Sequence, residues 1–317
     1  MNIYPWQKDL WEIMFSNKTK MPHALLFYGA KTSEINKFVN ELVKSLLCNK
    51  LSEENFSCGE CENCIWGLKN HPDLKIIESD SEKSEKLSVT NVREVKKFLE
   101  LSSHQTNGKK IVTICNADKL TIAASNSLLK TIEEPPNDCL IILTVKDVAN
   151  LLPTITSRCR LICFSKPTIE QAKEFLNRTD NKDLISNLEL YNNSPLDLLA
   201  DKETMPNINS ILNELKKGRK IDLMNINNYW FENGLFWIIN LLQKWAYELL
   251  LFKLCRTHNY FPNEKEYIVE LSENADLTKL LSHQKSLIQI KSYAETAVNS
   301  EINLYSVMIE YKKMFKV

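Results

Sequence analysis

A chain of 317 residues has room for two or three domains, and 44% hydrophobic with 25% charged residues is the composition of an ordinary globular protein. Its 40 basic residues are cancelled by 40 acidic ones, which excludes a protein that grips nucleic acid by bulk charge; any such contact is local or shared with partners. Six glycines are few for this length and point to long helices and few tight turns.

The first residues, MNIYPWQKDLWEIM, contain no basic stretch followed by an apolar one. No signal peptide is therefore expected, and the reading is cytoplasmic. Ala24–Tyr28 is a short apolar run ending at Gly29, the pattern of a buried strand. Ile35, Phe38, Val39, Leu42, Val43, Leu46 and Leu47 follow at helical spacing and predict an amphipathic helix. A strand, a glycine and a helix in this order are where a phosphate loop G-x-x-x-x-G-K-[ST] belongs. In a frame starting at Gly29, Glu34 stands in place of the second glycine, Ile35 in place of the lysine and Asn36 in place of the hydroxyl residue. Lys31 and Thr32 are close but out of register. A carboxylate in an anion nest repels phosphate, so the loop is read as degenerate.

Cys48, Cys58, Cys61 and Cys64 follow as C-x9-C-x2-C-x2-C. Four thiolates clustered so closely are the donor set of a closed tetrahedral zinc site, structural because no position is left for a catalytic water. The same residues also allow a buried thiol at Cys48 beside a disulfide pair with one cysteine left over. The other five cysteines of the nine, Cys115, Cys139, Cys159, Cys163 and Cys255, are scattered and form no disulfide framework, which favours metal. A nucleic-acid-binding finger is the weaker reading, since no basic residue lies between the last three cysteines.

Leu74–Ile77 predicts a second strand, Thr90 a cap for a helix carrying Val92, Val95, Phe98 and Leu99, and Lys110–Ile114 a third strand. After that strand, Cys115 and Asn116 stand where a magnesium-binding acid and a base for water would be. A helix over 121–133 ends at Pro135-Pro136, and strands are expected over 139–145 and 160–164. Strands alternating with helices imply a parallel sheet covered on both faces. Beyond Lys166-Pro167 the pattern is helical throughout. The most apolar stretch, Leu235 to Cys255, is interrupted by Asn240, Gln243, Lys244, Glu248 and Lys253, so it reads as a packed helix and no membrane partner is expected.

Residues 116–163 carry further motifs: Asn116-Ala117-Asp118-Lys119-Leu120, then Asn126-Ser127-Leu128-Leu129-Lys130-Thr131-Ile132-Glu133-Glu134-Pro135-Pro136, and later Ser157-Arg158-Cys159. With the cysteine module, Pro22-His23-Ala24-Leu25-Leu26 and Val92-Arg93-Glu94, the sequence resembles the clamp-loader branch of the AAA+ ATPases over residues 5–165. The resemblance implies an α/β AAA+ domain over 1–165 with a zinc-module insertion at 48–64. A small helical lid domain over 166–205 and an all-α C-terminal collar over 206–317 would follow. It implies that Arg158, flanked by Ser157 and Cys159, is an arginine finger presented to a neighbour's ATP, its plainer alternative being a surface salt bridge. Thr144 falls at the phosphate-sensing position of active relatives but reads here as a plain strand residue, and Leu196, in Asn192–Asp197, stands in place of a second sensing arginine, a third departure from ATP chemistry. Zn2+ is the implied cofactor, with no ATP bound tightly by this chain. The implied partners are clamp-loader ATPase subunits of the gamma/tau type and a delta subunit, with the sliding clamp and primed DNA reached through the complex. An active clamp-loader ATPase with an unusual phosphate loop is the alternative.

Overall fold

The computed structural model describes residues 3–16, 21–29, 32–78, 86–104, 108–136, 138–200, 202, 208–226, 230, 234–294 and 299–316. Lys31 of the phosphate-loop frame lies outside them. The chain divides into two compact units, Met1–Lys166 and Pro167–Val317.

In the first unit, β1 (Ala24–Tyr28), β2 (Leu74–Ile77), β3 (Lys110–Ile114), β4 (Cys139–Thr144) and β5 (Arg160–Cys163) form one sheet in the order β2-β3-β4-β1-β5. Every pairing is parallel, with Leu26 opposite Leu143 and Leu161, and Val112 opposite Ile141. β3 and β4 are buried along their whole length, as expected for central parallel strands with both faces covered. β5 is an edge strand, largely exposed.

Side chains alternate across the pleat. Ala24, Leu26, Val112, Ile114, Ile141 and Leu143 face the core built with α4 (Val89–Leu99), α5 (Ile122–Glu133) and α6 (Pro153–Thr156). Leu25, Phe27, Ile111, Leu140 and Ile142 face the other way, onto α1 (Lys8–Ser16) and α2 (Thr32–Leu47). The apolar stripe of α2 is the expected one, with Ile35, Phe38, Val39 and Leu42 fully buried. The cap of α4 differs from the expected one. Ser88 is the N-cap and Asn91 closes a capping box with it, whereas Thr90 is already inside the helix. α5 begins as expected after Thr121, whose hydroxyl accepts from the Ala124 N–H.

The second unit is helical: α7 (Ile169–Arg178), α8 (Pro195–Ala200), α9 (Ile208–Leu215), α10 (Gly234–Cys255), α11 (Lys265–Asn274), α12 (Leu277–Lys291) and α13 (Ser300–Lys313). Ala172, Leu176, Leu184, Leu188 and Leu198 form one small core. A larger one is built around α9 to α13. There the Trp245 Nε1–H donates to Tyr311 Oη at 2.9 Å and the Tyr311 hydroxyl donates to Leu215 O at 2.6 Å, so one buried polar chain ties α9, α10 and α13. Burial pushes the Tyr311 phenol up. By length and composition α10 is apolar enough to cross a membrane, but 56% of that stretch is buried within the fold. Its Glu248 is fully buried and accepts from the Asn259 and Tyr260 N–H groups at 2.6 and 3.0 Å.

Candidate functional site

The four cysteines of the module converge. Cys48 ends the chain segment that leaves α2, Cys58 and Cys61 flank a turn, and Cys64 lies in the first turn of α3 (Glu62–Asn70). Gly59 supplies that turn at φ 78°, a left-handed conformation that disfavours other residues. The Sγ–Sγ distances are 3.6 Å for Cys48–Cys58, 3.8 Å for Cys48–Cys61, 3.9 Å for Cys58–Cys64 and 3.4 Å for Cys61–Cys64. All four sulfurs lie within 4.8 Å of one another. A tetrahedron with zinc–sulfur bonds of about 2.3 Å has edges of about 3.8 Å, so the cluster has the size a zinc ion requires.

Backbone donors support sulfur in its thiolate form. The N–H groups of Lys50 and Cys58 point to Cys48 Sγ, and that of Cys61 to Cys58 Sγ, each at 3.3 Å. Burial pushes the Cys61 thiol up, but N–H groups of Asn49 and Cys64 and the adjacent thiols outweigh it and bring it down to about 6. Burial, with Cys61 alongside, pushes Cys64 up to about 12. All nine cysteines are free, so no disulfide competes with the cluster.

Two residues that fasten the module were not singled out as anchors from the sequence. Buried Asn63 donates from Nδ2 to Leu47 O at 2.9 Å and to Asn49 Oδ1 at 3.0 Å, binding α3 to the end of α2. Trp11 donates from Nε1 to Glu54 O at 3.0 Å and stacks on Phe56 at 4.6 Å, binding the module to α1.

The second feature is the crevice at the carboxyl ends of β1, β3 and β4, where parallel sheets of this kind accept ligands. Gly29 ends β1, its N–H donating to Lys146 O at 3.2 Å. Glu34 Oε1 accepts from Trp6 Nε1 at 2.7 Å and from Gln7 Nε2 at 3.3 Å. Ile35 is fully buried in the core with Phe38 and Phe27. Asn36 Oδ1 accepts from the Thr144 hydroxyl at 2.8 Å, and Thr144 Oγ1 accepts from the Asn116 N–H at 3.3 Å. Three positions far apart in sequence are thus bonded to one another. Cys115 is buried beside them; burial, with the nearby Glu78 carboxylate, pushes its thiol up.

The third feature is Ser157-Arg158-Cys159, between α6 and β5. Arg158 donates from Nε to Glu133 Oε1 at 2.5 Å, and from Nη1 to Thr154 O at 3.1 Å and Ser157 Oγ at 3.3 Å. The Arg158 and Glu133 side chains are 40% and 45% exposed. Among the described residues no partner engages Nη2. Cys159 packs against the core of its unit, where burial pushes its thiol up to about 11. The Glu133 contact is a surface salt bridge, the plainer alternative for Arg158; its partner is not legible in the sequence, because nothing there says that α5 ends beside the turn after α6.

Residues 7–168, just over half of the chain, match the family model described as "DNA polymerase III, delta subunit". "DNA polymerase III subunit delta'" of Pseudomonas aeruginosa is 33% identical over 159 residues, 50% of this chain and 47% of that protein. The protein of the same description from Escherichia coli (strain K12) is 33% identical over 207 residues, 63% of this chain and 61% of that one. The chain thus spans about half to three fifths of the length of these relatives. Among solved structures, a DNA polymerase III gamma subunit-related protein from Thermotoga maritima aligns over 98% of this chain and 99% of its own, at 16% identity and a TM-score of 0.44. The sheet unit, its cysteine module and its motif-bearing turns fall inside the matched segment, and the chain belongs to the family of DNA polymerase III delta' subunits.

Proposed function

We propose that this chain is a non-catalytic subunit of a clamp loader, acting in the cytoplasm in DNA replication to help place the sliding clamp on primed DNA. Its partners would be ATPase subunits of the gamma/tau type and a delta subunit. The observation that carries the reading is the self-contained crevice. The side chain in the lysine's place, Ile35, is packed into the core. The carboxylate at Glu34 is held by Trp6 and Gln7, and Asn36 is bonded to Thr144. A triphosphate entering there would meet no lysine at that position and a carboxylate instead, and it would have to break bonds the chain makes to itself.

Arg158 is read as the arginine this subunit supplies in trans. With Nε and Nη1 held by its own chain, Nη2 is left to meet an anion from outside. A guanidinium delivered to a transferring phosphoryl group is worth about 10³–10⁵ in rate where it is the dominant charge stabiliser. The four cysteines would hold one structural zinc as thiolates, its binding supplying local folding energy. The second unit is read as a lid over 166–205 and a collar over 206–317, a division supported by its two apolar cores, which meet at Leu190 and Tyr191.

The test is reconstitution of the complex with Arg158→Ala. DNA-stimulated ATP hydrolysis and clamp loading should both fall, by less than the full finger factor because the other ATP sites keep theirs. Wild-type rates from an intact complex would make Arg158 a structural residue. ATP hydrolysis by the purified chain, abolished by a change in the 29–36 loop, would favour the active-ATPase reading.

A further inference from the structure

The second unit contains a half-open cavity of about 620 Å³ lined by Arg219, Lys279, His283, Glu310, Lys312 and Lys313, together with Ser282. The volume is within the ordinary range for small-molecule sites. Its charge is one-sided: four cations face a single carboxylate. Among the described residues none of the four forms an ion pair with a carboxylate, although Asp276 lies near enough to Lys279, and Glu310 to Lys313, to feel their charge.

The fold gathers these residues deliberately. Lys279 and His283 are four apart on α12 and share a face, as do Glu310 and Lys313 on α13. Arg219 is presented by the turn at Gly218, which has φ 52° and where a Cβ would come within 2.5 Å of Leu271. Three cations also donate to main-chain carbonyls: Arg219 to Phe315 O at 3.1 Å, Lys279 to Lys313 O at 3.3 Å and Lys312 to Ile221 O at 3.0 Å. Each bond uses one N–H and leaves the rest. The carbonyl end of α13 explains part of the gathering, but a helix end carries only about half a charge, against a formal excess of three. The second observation is His283. It is 1% exposed, lines the cavity, and neither ring nitrogen has a hydrogen-bond partner; Nδ1 lies 3.7 Å from Glu310 Oε2. A buried imidazole with no hydrogen bond, and only the Glu310 carboxylate nearby at 3.7 Å, is under-satisfied, a penalty that a ligand accepting from the ring would relieve.

We propose that this cavity is a binding site for a run of phosphoryl groups, drawn either from a free polyphosphate or from a nucleic-acid backbone. Several cations around a volume larger than one phosphate suit a chain of them, and Arg219 can engage two oxygens at once. The buried His283 ring, which lines the cavity, offers an N–H to such a ligand.

The test is calorimetric titration of the full chain at low salt with sodium tripolyphosphate and, separately, with a short oligothymidylate. One equivalent of tripolyphosphate should bind, weakening as salt is raised. Lys279→Ala with Lys313→Ala should weaken it at least tenfold while circular dichroism and thermal melting stay as in wild type. Lys313→Ala alone, at an exposed position, should weaken it by less and serves if the double variant is unstable. Oligothymidylate binding that tripolyphosphate displaces, with the same sensitivity to these variants, supports a nucleic-acid source; tripolyphosphate binding alone supports a free polyphosphate. Absence of binding by both probes, or binding that neither variant changes, overturns the proposal.

Discussion

At the scale of single residues the first unit rests on a charge pair that no motif announces. Lys110 Nζ lies 3.1 Å from Asp73 Oδ1, and the two side chains are 8% and 1% exposed. Lys110 also donates to Pro72 O at 2.9 Å, while Asp73 accepts from Ser103 Oγ at 3.0 Å and from the His104 N–H at 2.8 Å. Removing one partner of such a pair leaves a buried charge uncompensated. Lys110→Ala should lower the stability of the first unit by about 3–5 kcal/mol in urea unfolding; a loss below about 1 kcal/mol would mean that the carboxylate is in fact solvated. The Arg158–Glu133 pair contrasts with it. Exposed pairs of this kind contribute about 0–1 kcal/mol, so Glu133→Ala should leave the melting curve almost unmoved. If Glu133 aims the guanidinium, the same substitution should reduce ATP turnover of the reconstituted complex, by less than Arg158→Ala does. Equal turnover for wild type and Glu133→Ala would show that the arginine finds its place unaided.

At the scale of elements, the cysteine module is an insertion between α2 and β2 fastened at three points: the sulfur cluster, Asn63 and Trp11. Its own apolar contribution is small, so the cluster should decide whether it is ordered. The purified chain should release one zinc per molecule to a strong chelator or to Cys61→Ser. The loss should loosen residues 48–64 in hydrogen exchange and leave the sheet strands protected. Because zinc binds thiolates, protons compete with it; affinity should fall as pH falls and recover as it rises. Retention of full protection in the module without metal would refute a structural role. The module's spacing was legible from cysteine positions alone, because ligand geometry restricts spacing. Asn63 was not, because an asparagine's role depends on which carbonyls the fold brings to it.

For the whole molecule, the family model matches residues 7–168, nearly all of the sheet unit, while the Escherichia coli relative aligns over 207 residues and so reaches into the second unit. The crevice at its strand ends predicts that no single substitution turns this chain into an ATPase. Ile35→Lys should destabilise the first unit, since it places a charge in an apolar core, and should confer neither tight nucleotide binding nor hydrolysis. Equilibrium binding of labelled ATP measures this, and submicromolar binding by the variant or by wild type would contradict the proposal.

The sequence by itself determined the five strands, the change to all-helical structure after Pro167, the apolar stripe of α2 and the cysteine cluster. Each follows from local periodicity or from donor spacing, which the chain carries residue by residue. It placed the cap of α4 at Thr90 rather than Ser88, because both residues are good caps and only the helix's actual start selects between them. The partners of Arg158, the closure of Asn36 on Thr144 and Asn116, the buried Lys110–Asp73 pair and the basic cavity around His283 were decided only by tertiary structure. Thr144 and Asn36 are 108 positions apart, and Arg219 and Phe315 are 96. A contact over such a distance is fixed by how strands order in a sheet and how helices pack, and those follow from the burial of the whole apolar surface rather than from any segment of it.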